Sequence, residues 1–223
     1  MEEYISGTFV KELKNRFLCL VRIDNKDELC YVPSSCHLSN FLDLKGKEVM
    51  LIPNKSKETR TKFSVYAVPY KKNYIVLNTS KANEAVEECI RSRRFSFLGK
   101  RSQIEKEYKY NGYKCDFFVC DTETIIEVKS IISTQEVARF PTVYSERGIR
   151  QLKQLYTHLQ DGKNALYCIV SLHPYVKQIE LDSESEWFCE LKKCMDLGLR
   201  LKAYSSRLIS SRLKIDKELE VLY

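Results

Sequence analysis

The chain reads as an α+β protein in two parts: a small all-β barrel, then an α/β unit with a mixed sheet flanked by helices. Three observations predict this. Residues 1–77 carry several short apolar strands separated by turn signals, with little helical periodicity. At Asn78-Thr79-Ser80 the pattern changes to helix, meander of strands, helix, strand, helix, strand. With 223 residues, 43% of them hydrophobic, there is material for one large core or two small ones. The expected units are therefore 1–77 and 78–223.

The elements follow in order. Thr8 to Ile23 is apolar at many positions and reads as one long strand. The polar turn Asp24-Asn25-Lys26-Asp27 separates it from a strand at Glu28 to Val32, and Lys47 to Ile52 follows Gly46. The lysine-rich stretch Asn54 to Thr61 is a loop, Lys62 to Tyr70 alternates as a strand should, and Tyr74 to Leu77 adds one more. Thr79 or Ser80 can cap a helix over Lys81 to Arg91, with Ala82, Ala85, Val86, Cys89 and Ile90 as its apolar stripe. After a basic link come strands at Gln103 to Tyr110 and Tyr113 to Cys120. Asn111-Gly112 between them is the strongest short-range hairpin signal in the chain. A third strand, Glu123 to Ser130, follows a tight turn at Asp121-Thr122. A loop through Phe140-Pro141 leads to a helix from Ser145 to Gln160, with Ile149, Leu152, Tyr156 and Leu159 on its buried side and Asp161-Gly162 at its end. Ala165 to Ser171 is a continuous apolar run, the pattern of a buried central strand. A helix from Glu184 to Leu197 and a strand from Leu199 to Tyr204 complete the pattern, and Arg207 to Tyr223 carries weak signals.

Composition narrows the function. No segment approaches the length of a membrane span, and the N-terminus lacks the basic-then-apolar pattern of a secretory signal, so a cytoplasmic protein with no membrane partner is expected. Nine cysteines, none in a Cys-X-X-Cys pair, fit free thiols in a reducing compartment. His37, His158 and His173 are far apart, which gives zinc ligation or a Cys-His nucleophile little support. The net charge is +7 and unevenly spread. From Asn54 to Lys114 fifteen Lys and Arg stand against six Glu and no Asp, the electrostatic footprint of a polyanion partner. The link after the first helix supplies Arg91, Arg93, Arg94, Lys100 and Arg101 as candidate phosphate contacts. Tyrosines and phenylalanines interleave this region; such rings can stack on exposed bases, while most of them are expected in the core.

The chemistry concentrates on Glu127-Val128-Lys129. On a strand Glu127 and Lys129 share one face while Ile126 and Val128 take the other. A Glu-X-Lys triplet recurs by chance in so charged a chain; its context lifts it above that background. If Asp121-Thr122 is a two-residue turn, Cys120 pairs with Glu123 and Asp116 stands opposite Glu127. Like charges facing each other on a sheet repel, and a hard divalent cation would turn that repulsion into binding. The element order is that of a restriction-endonuclease-like core. That fold places an Asp at the end of the second strand, Glu-X-Lys on the third and often a Glu on the first helix, here Asp116, Glu127, Lys129 and Glu87.

Several spaced motifs resemble the sugar fermentation stimulation protein A (SfsA) family. They are Asn78-Thr79-Ser80, Asn83 with Val86-Glu87-Glu88, Asp116-Phe117, Glu127-Val128-Lys129-Ser130, and FPTVYSERG from Phe140 to Gly148. Order and spacing agree from about Gly7 to Tyr204. The resemblance implies an N-terminal OB-fold, a nuclease-like domain of the PD-(D/E)XK type, DNA binding, and a link to maltose metabolism. Two positions depart from the family pattern. Its C-P-N-T-G-S-M segment reads Val32-Pro33-Ser34-Ser35-Cys36-His37-Leu38, which loses the turn glycine at Cys36. The Asp that usually follows Phe-Pro is Thr142.

Three functions remain open from sequence. In the first, Asp116, Glu127 and the Val128 carbonyl hold Mg²⁺ or Mn²⁺ for phosphodiester hydrolysis, Lys129 orients water or stabilises the phosphate, Glu87 completes a second metal position and Arg147 clamps a phosphate. In the second, the protein is a sequence-nonspecific DNA-binding regulator of sugar metabolism without turnover. In the third, it binds RNA or protein. A homodimer stays open.

Overall fold

The structure, a computed structural model, describes residues 4–33, 37–40, 42–54, 60–110 and 112–223. The departure at Ser34 to Cys36, part of the lysine-rich loop and Asn111 of the hairpin signal lie outside these.

Six strands form the first sheet: β1 (Ile5–Glu12), β2 (Leu18–Ile23), β3 (Lys26–Tyr31), β4 (Glu48–Pro53), β5 (Phe63–Tyr70) and β6 (Asn73–Val76). β1 pairs with β2 and β4, β2 with β3, and β4 with β5, all antiparallel. A parallel contact of β3 with β5 closes the ring. This is the five-stranded closed barrel of the OB type, with β6 added along β5. The expected long strand Thr8 to Ile23 is instead two strands, because Asn15 folds the polar Lys14-Asn15-Arg16 stretch into a turn. Its side chain accepts from the Phe17 N–H at 3.0 Å and its carbonyl from the Leu18 N–H at 2.9 Å. Gly7 is required where β1 crosses β2: a Cβ there would lie 2.6 Å from a Val21 methyl.

The second part begins with α1 (Lys81–Ile90). Neither Thr79 nor Ser80 caps it through a side-chain bond to the helix. Asn78 instead accepts from both the Ser80 N–H (3.2 Å) and its hydroxyl (2.7 Å). The strands are β7 (Ile104–Lys106), β8 (Lys109–Tyr110), β9 (Tyr113–Lys114), β10 (Phe117–Val119), β11 (Thr124–Ile131) and β12 (Val137–Phe140), then α2 (Glu146–Gln160), β13 (Asn164–Ser171), β14 (Gln178–Leu181), α3 (Glu186–Asp196), β15 (Arg200–Ile209) and β16 (Arg212–Leu222). β8 and β9 form a separate ribbon. The other eight form one mixed sheet in the order β12-β14-β16-β15-β13-β11-β10-β7. β11, β13 and β15 are parallel, with α2 and α3 as their crossovers.

α2 and α3 cover one face of this sheet, burying Ile125 and Ile131 with Ile149, Leu152, Trp187 and Leu191. α1 covers the other, where Ile126 and Val128 pack with Ala82, Ala85, Val86 and Ile90. The same core takes in Tyr66, Ala67 and Val76 of the barrel, so the two parts share apolar packing. Polar ties add to it: the Val76 N–H donates to the Leu172 carbonyl, and the Tyr70 hydroxyl donates to that of Thr134. Among the described residues no helix is long and apolar enough to cross a membrane, and eight cysteines are free thiols.

Candidate active site

β10 and β11 set the site. Their ladder pairs Phe117 with Ile126 and Val119 with Thr124, and continuing this register places Asp116 opposite Glu127. The loop is longer than a two-residue turn: Cys120–Thr122 form one 3-10 turn and Glu123 takes a left-handed conformation (φ 46°). The ladder therefore ends at Val119–Thr124, one pair short of the expected Cys120–Glu123, with the register unchanged.

β10 starts at Phe117, so among the described residues Val128 has no strand partner on that edge. Its N–H donates to Asp116 Oδ2 at 2.8 Å, and Asn83 of α1 donates to Asp116 Oδ1 at 2.8 Å. Because a residue's N–H and C=O leave a strand on the same side, the Val128 carbonyl shares the edge held by Asp116.

Glu127 lies on the α2 face, 1% exposed. Tyr113 donates its hydroxyl to one carboxylate oxygen, and Lys129 Nζ lies 2.9 Å from the other. Lys129 also donates to Gln151 Oε1 of α2 at 2.8 Å, and its ammonium sits 5.9 Å from the Tyr167 ring centre. Burial pushes the Glu127 carboxyl above its ordinary value. The Lys129 charge opposes this, and the charge of Asp116 adds to it. Burial pushes the neighbouring Cys115 thiol up to about 12, so it is no nucleophile at neutral pH.

The group thus holds two carboxylates against one ammonium. A hard divalent ion suits that imbalance, since Mg²⁺ is commonly held by one or two carboxylates with waters and phosphate oxygens completing its shell. The donors that could hold it are Asp116, Glu127 and the Val128 carbonyl. Among the described residues no three His, Cys, Asp or Glu side chains come together as a ready-made cage.

The remaining candidates are placed differently. Glu87 is ion-paired with Lys106 at 2.6 Å, and the α1 residue on Asp116 is Asn83, one turn earlier. Arg91 donates to the carbonyls of Arg101 and Ser102, both at 2.9 Å. Arg101 donates to those of Gly99 and Ser92, and Lys100 lies 3.4 Å from Asp121. Arg93 and Arg94 are exposed, with no carboxylate partner among the described residues. Arg147 is exposed in the first turn of α2, and Thr142 is exposed nearby in sequence. Tyr113, Gln151 and Asn83 are the residues that sequence reasoning missed as members of the site. Asn83 alone had a local signal, lying four residues before Glu87 on the same helix.

A separate open cleft of about 870 Å³ lies between barrel and second part, lined by Tyr4, Tyr66, Lys81, Glu84, Ser211 and Arg212 among others. None of its lining residues belongs to the Asp116 group.

Comparison with known proteins agrees with this architecture. Residues 13–77 match the family model described as the SfsA N-terminal OB domain, and residues 80–211 the one described as the sugar fermentation stimulation protein RE domain. A sugar fermentation stimulation protein homolog of Methanobrevibacter smithii is 28% identical, covering 77% of each chain. One from Ruminiclostridium cellulolyticum is 27% identical, covering 96% of each. The solved structure of Pyrococcus furiosus SfsA in complex with Ca²⁺ superposes with a TM-score of 0.82 at 21% identity, covering 100% of this chain and 98% of that one.

Proposed function

The chain belongs to the sugar fermentation stimulation protein family, and from that premise we propose that it binds DNA and hydrolyses phosphodiesters at the Asp116–Glu127–Lys129 group with a divalent cation. One observation carries this reading. A buried carboxylate already neutralised by Lys129 gains nothing from a second carboxylate set against it, yet Asp116 is fastened there by Val128 and Asn83. The calcium complex of the Pyrococcus relative supports an ion of the hard, oxygen-binding class.

Asp116, Glu127 and the Val128 carbonyl would hold Mg²⁺ or Mn²⁺. Once bound, the ion would acidify a coordinated water and neutralise charge on the transferring phosphate. Tyr113 holds the Glu127 carboxylate, while Glu127 and Gln151 together aim the Lys129 ammonium. From there Lys129 would donate to the attacking water or to a non-bridging phosphate oxygen. Arg147 stands at the positive end of α2, where a flanking phosphate would bind.

Incubation of plasmid and single-stranded DNA with Mg²⁺ or Mn²⁺ tests this. Cleavage is expected, with a loss of about a hundredfold or more in Lys129→Ala and abolition by chelation. Activity that survives both rejects the assignment. A second reading, DNA binding without turnover, is favoured by the engagement of both Glu127 oxygens and the turning of Glu87 to Lys106. Salt-dependent gel shifts without cleavage across metals would select it, and competition with matched RNA would separate the two nucleic acids.

A further inference from the structure

We propose that Tyr113 is a latch on the ion site: its hydroxyl covers the Glu127 oxygen that a divalent cation would take, and so sets the affinity of the site for the ion. This deepens the reading above and rests on it.

Glu127 is 1% exposed and both its oxygens are engaged, one by the Tyr113 hydroxyl and the other by Lys129 Nζ at 2.9 Å. The two donors are not equivalent. Lys129 stands on β11, inside the sheet, and Gln151 of α2 accepts from the same ammonium at 2.8 Å. Its charge repels a divalent ion. A cation shared with Asp116 and the Val128 carbonyl therefore approaches Glu127 on the oxygen turned away from Lys129, which is the one that Tyr113 holds.

Tyr113 is also the partner placed to give way. Among the described residues its hydroxyl bonds to Glu127 alone. Its backbone belongs to the β8–β9 ribbon, whose strands of two residues each pair only with each other. The ribbon continues the β7–β10 pair through the Glu107 N–H on the Asp116 carbonyl and the Cys115 N–H on that of Tyr108. Two strands without a third are marginally stable, and these lean on their surroundings through rings. Tyr108 stacks on Phe118 with centres 4.3 Å apart, and Tyr110 stands edge-on to His158. The Tyr113 side chain is itself buried, so taking its hydroxyl off Glu127 shifts the ribbon.

A phenol that only oriented Glu127 would strengthen the site, and its removal would weaken ion binding about ten- to a hundredfold. A phenol that competes for the oxygen has the opposite sign. Its removal leaves a buried carboxylate oxygen without a donor, a deficit that the ion fills.

The test is calorimetric titration of the full chain with Mn²⁺ and with Ca²⁺, without nucleic acid, in wild type, Tyr113→Phe and Glu127→Gln. Phenylalanine keeps the buried ring and removes only the hydroxyl. We expect Tyr113→Phe to bind the ion about tenfold more tightly, and Glu127→Gln to lose binding. Ion binding seen in Tyr113→Phe but not in wild type is the same result in stronger form. Hydrogen exchange of the wild type reads the latch without a substitution: saturating Ca²⁺ should speed exchange of the β8 and β9 amides. Unchanged or weaker ion binding in Tyr113→Phe overturns the latch, as does ribbon exchange that Ca²⁺ leaves unchanged or slows. A wild type that still binds the ion through Glu127 and cleaves DNA then keeps the catalytic proposal. Binding of no ion by the wild type or either variant removes both.

Discussion

His158 sits two residues from the end of α2, where the helix dipole favours a cation, yet it is 2% exposed with its ring edge-on to Tyr110. Burial wins and holds its pKa below the ordinary 6.5. The folded protein therefore takes up this proton later than the unfolded chain as pH falls. Stability that His158 supports is present above pH 6.5 and drains away as pH drops through the depressed folded value, at up to about 1.4 kcal/mol per pH unit for one proton. Urea unfolding of wild type and His158→Gln at pH 7.5 and 5 should give a difference that shifts against the wild type at the lower pH, and a pH-independent difference would refute this. Glu127 is shifted for the same cause with the opposite sign, since burial there favours the proton. Its partners divide by how far they lie along the chain. Asp116 and Lys129 were legible because strand alternation and the hairpin register are local. Tyr113, Gln151 and Asn83 reach the group from contacts spanning 14, 22 and 33 residues, which only the packed sheet and helices bring together.

Among the elements, the β15–β16 hairpin departs furthest from expectation. Arg207 to Tyr223 holds an eleven-residue strand, Arg212–Leu222, that gave weak signals because charged side chains fill its exposed positions. Its turn lacks the usual Asn-Gly and uses Ser210 and Ser211, both left-handed, with φ 46° and 67°. A serine is strained there, and glycine is not. Ser211→Gly should therefore stabilise the protein by about 1 kcal/mol, measured by denaturant midpoint at constant slope. A loss of stability would mean that the Ser211 side chain matters more than its carbonyl, which accepts from Tyr4 at 2.6 Å and Tyr66 at 3.3 Å and would survive the change. β12 and β14 escaped notice for another reason: four residues at a sheet margin carry too little periodicity to stand out from loop. β13 was legible because every residue after Asn164 is buried between two helical layers, leaving an unbroken apolar run. α2 was legible from its ends as well as its stripe, since Ser145 accepts from the Gly148 N–H at 3.0 Å and Gly162 follows the last turn with φ 76°. Within that stripe, Leu155 and His158 take buried positions, while Tyr156 is only partly buried.

At the scale of the molecule, the change of pattern near residue 78 does not divide the packing. β5 and β6 belong to the barrel by hydrogen bonding, yet Tyr66, Ala67 and Val76 lie in the core that α1 forms with Ile126, Val128 and Tyr204. A barrel that lends its wall to its neighbour's core should not melt alone, because unfolding either part strips apolar cover from the other. Tyr66 is the place to test this. It is 1% exposed, its ring lies 5.1 Å from that of Tyr4, and its hydroxyl reaches the β15–β16 turn. Tyr66→Ala should cost about 3–5 kcal/mol, in the range for a large aromatic removed from a core. The single tryptophan, Trp187, lies in α3 against Phe140 and Tyr167, outside the core that Tyr66 joins. Its fluorescence therefore reports the second part while the substitution strikes the first. If both parts unfold as one unit, the Trp187 midpoint in urea must fall together with the circular dichroism midpoint, and the two curves must stay superimposed. A Trp187 curve that stays at its wild-type midpoint while the dichroism splits into two steps would make the barrel an independent unit and end the claim of a shared core.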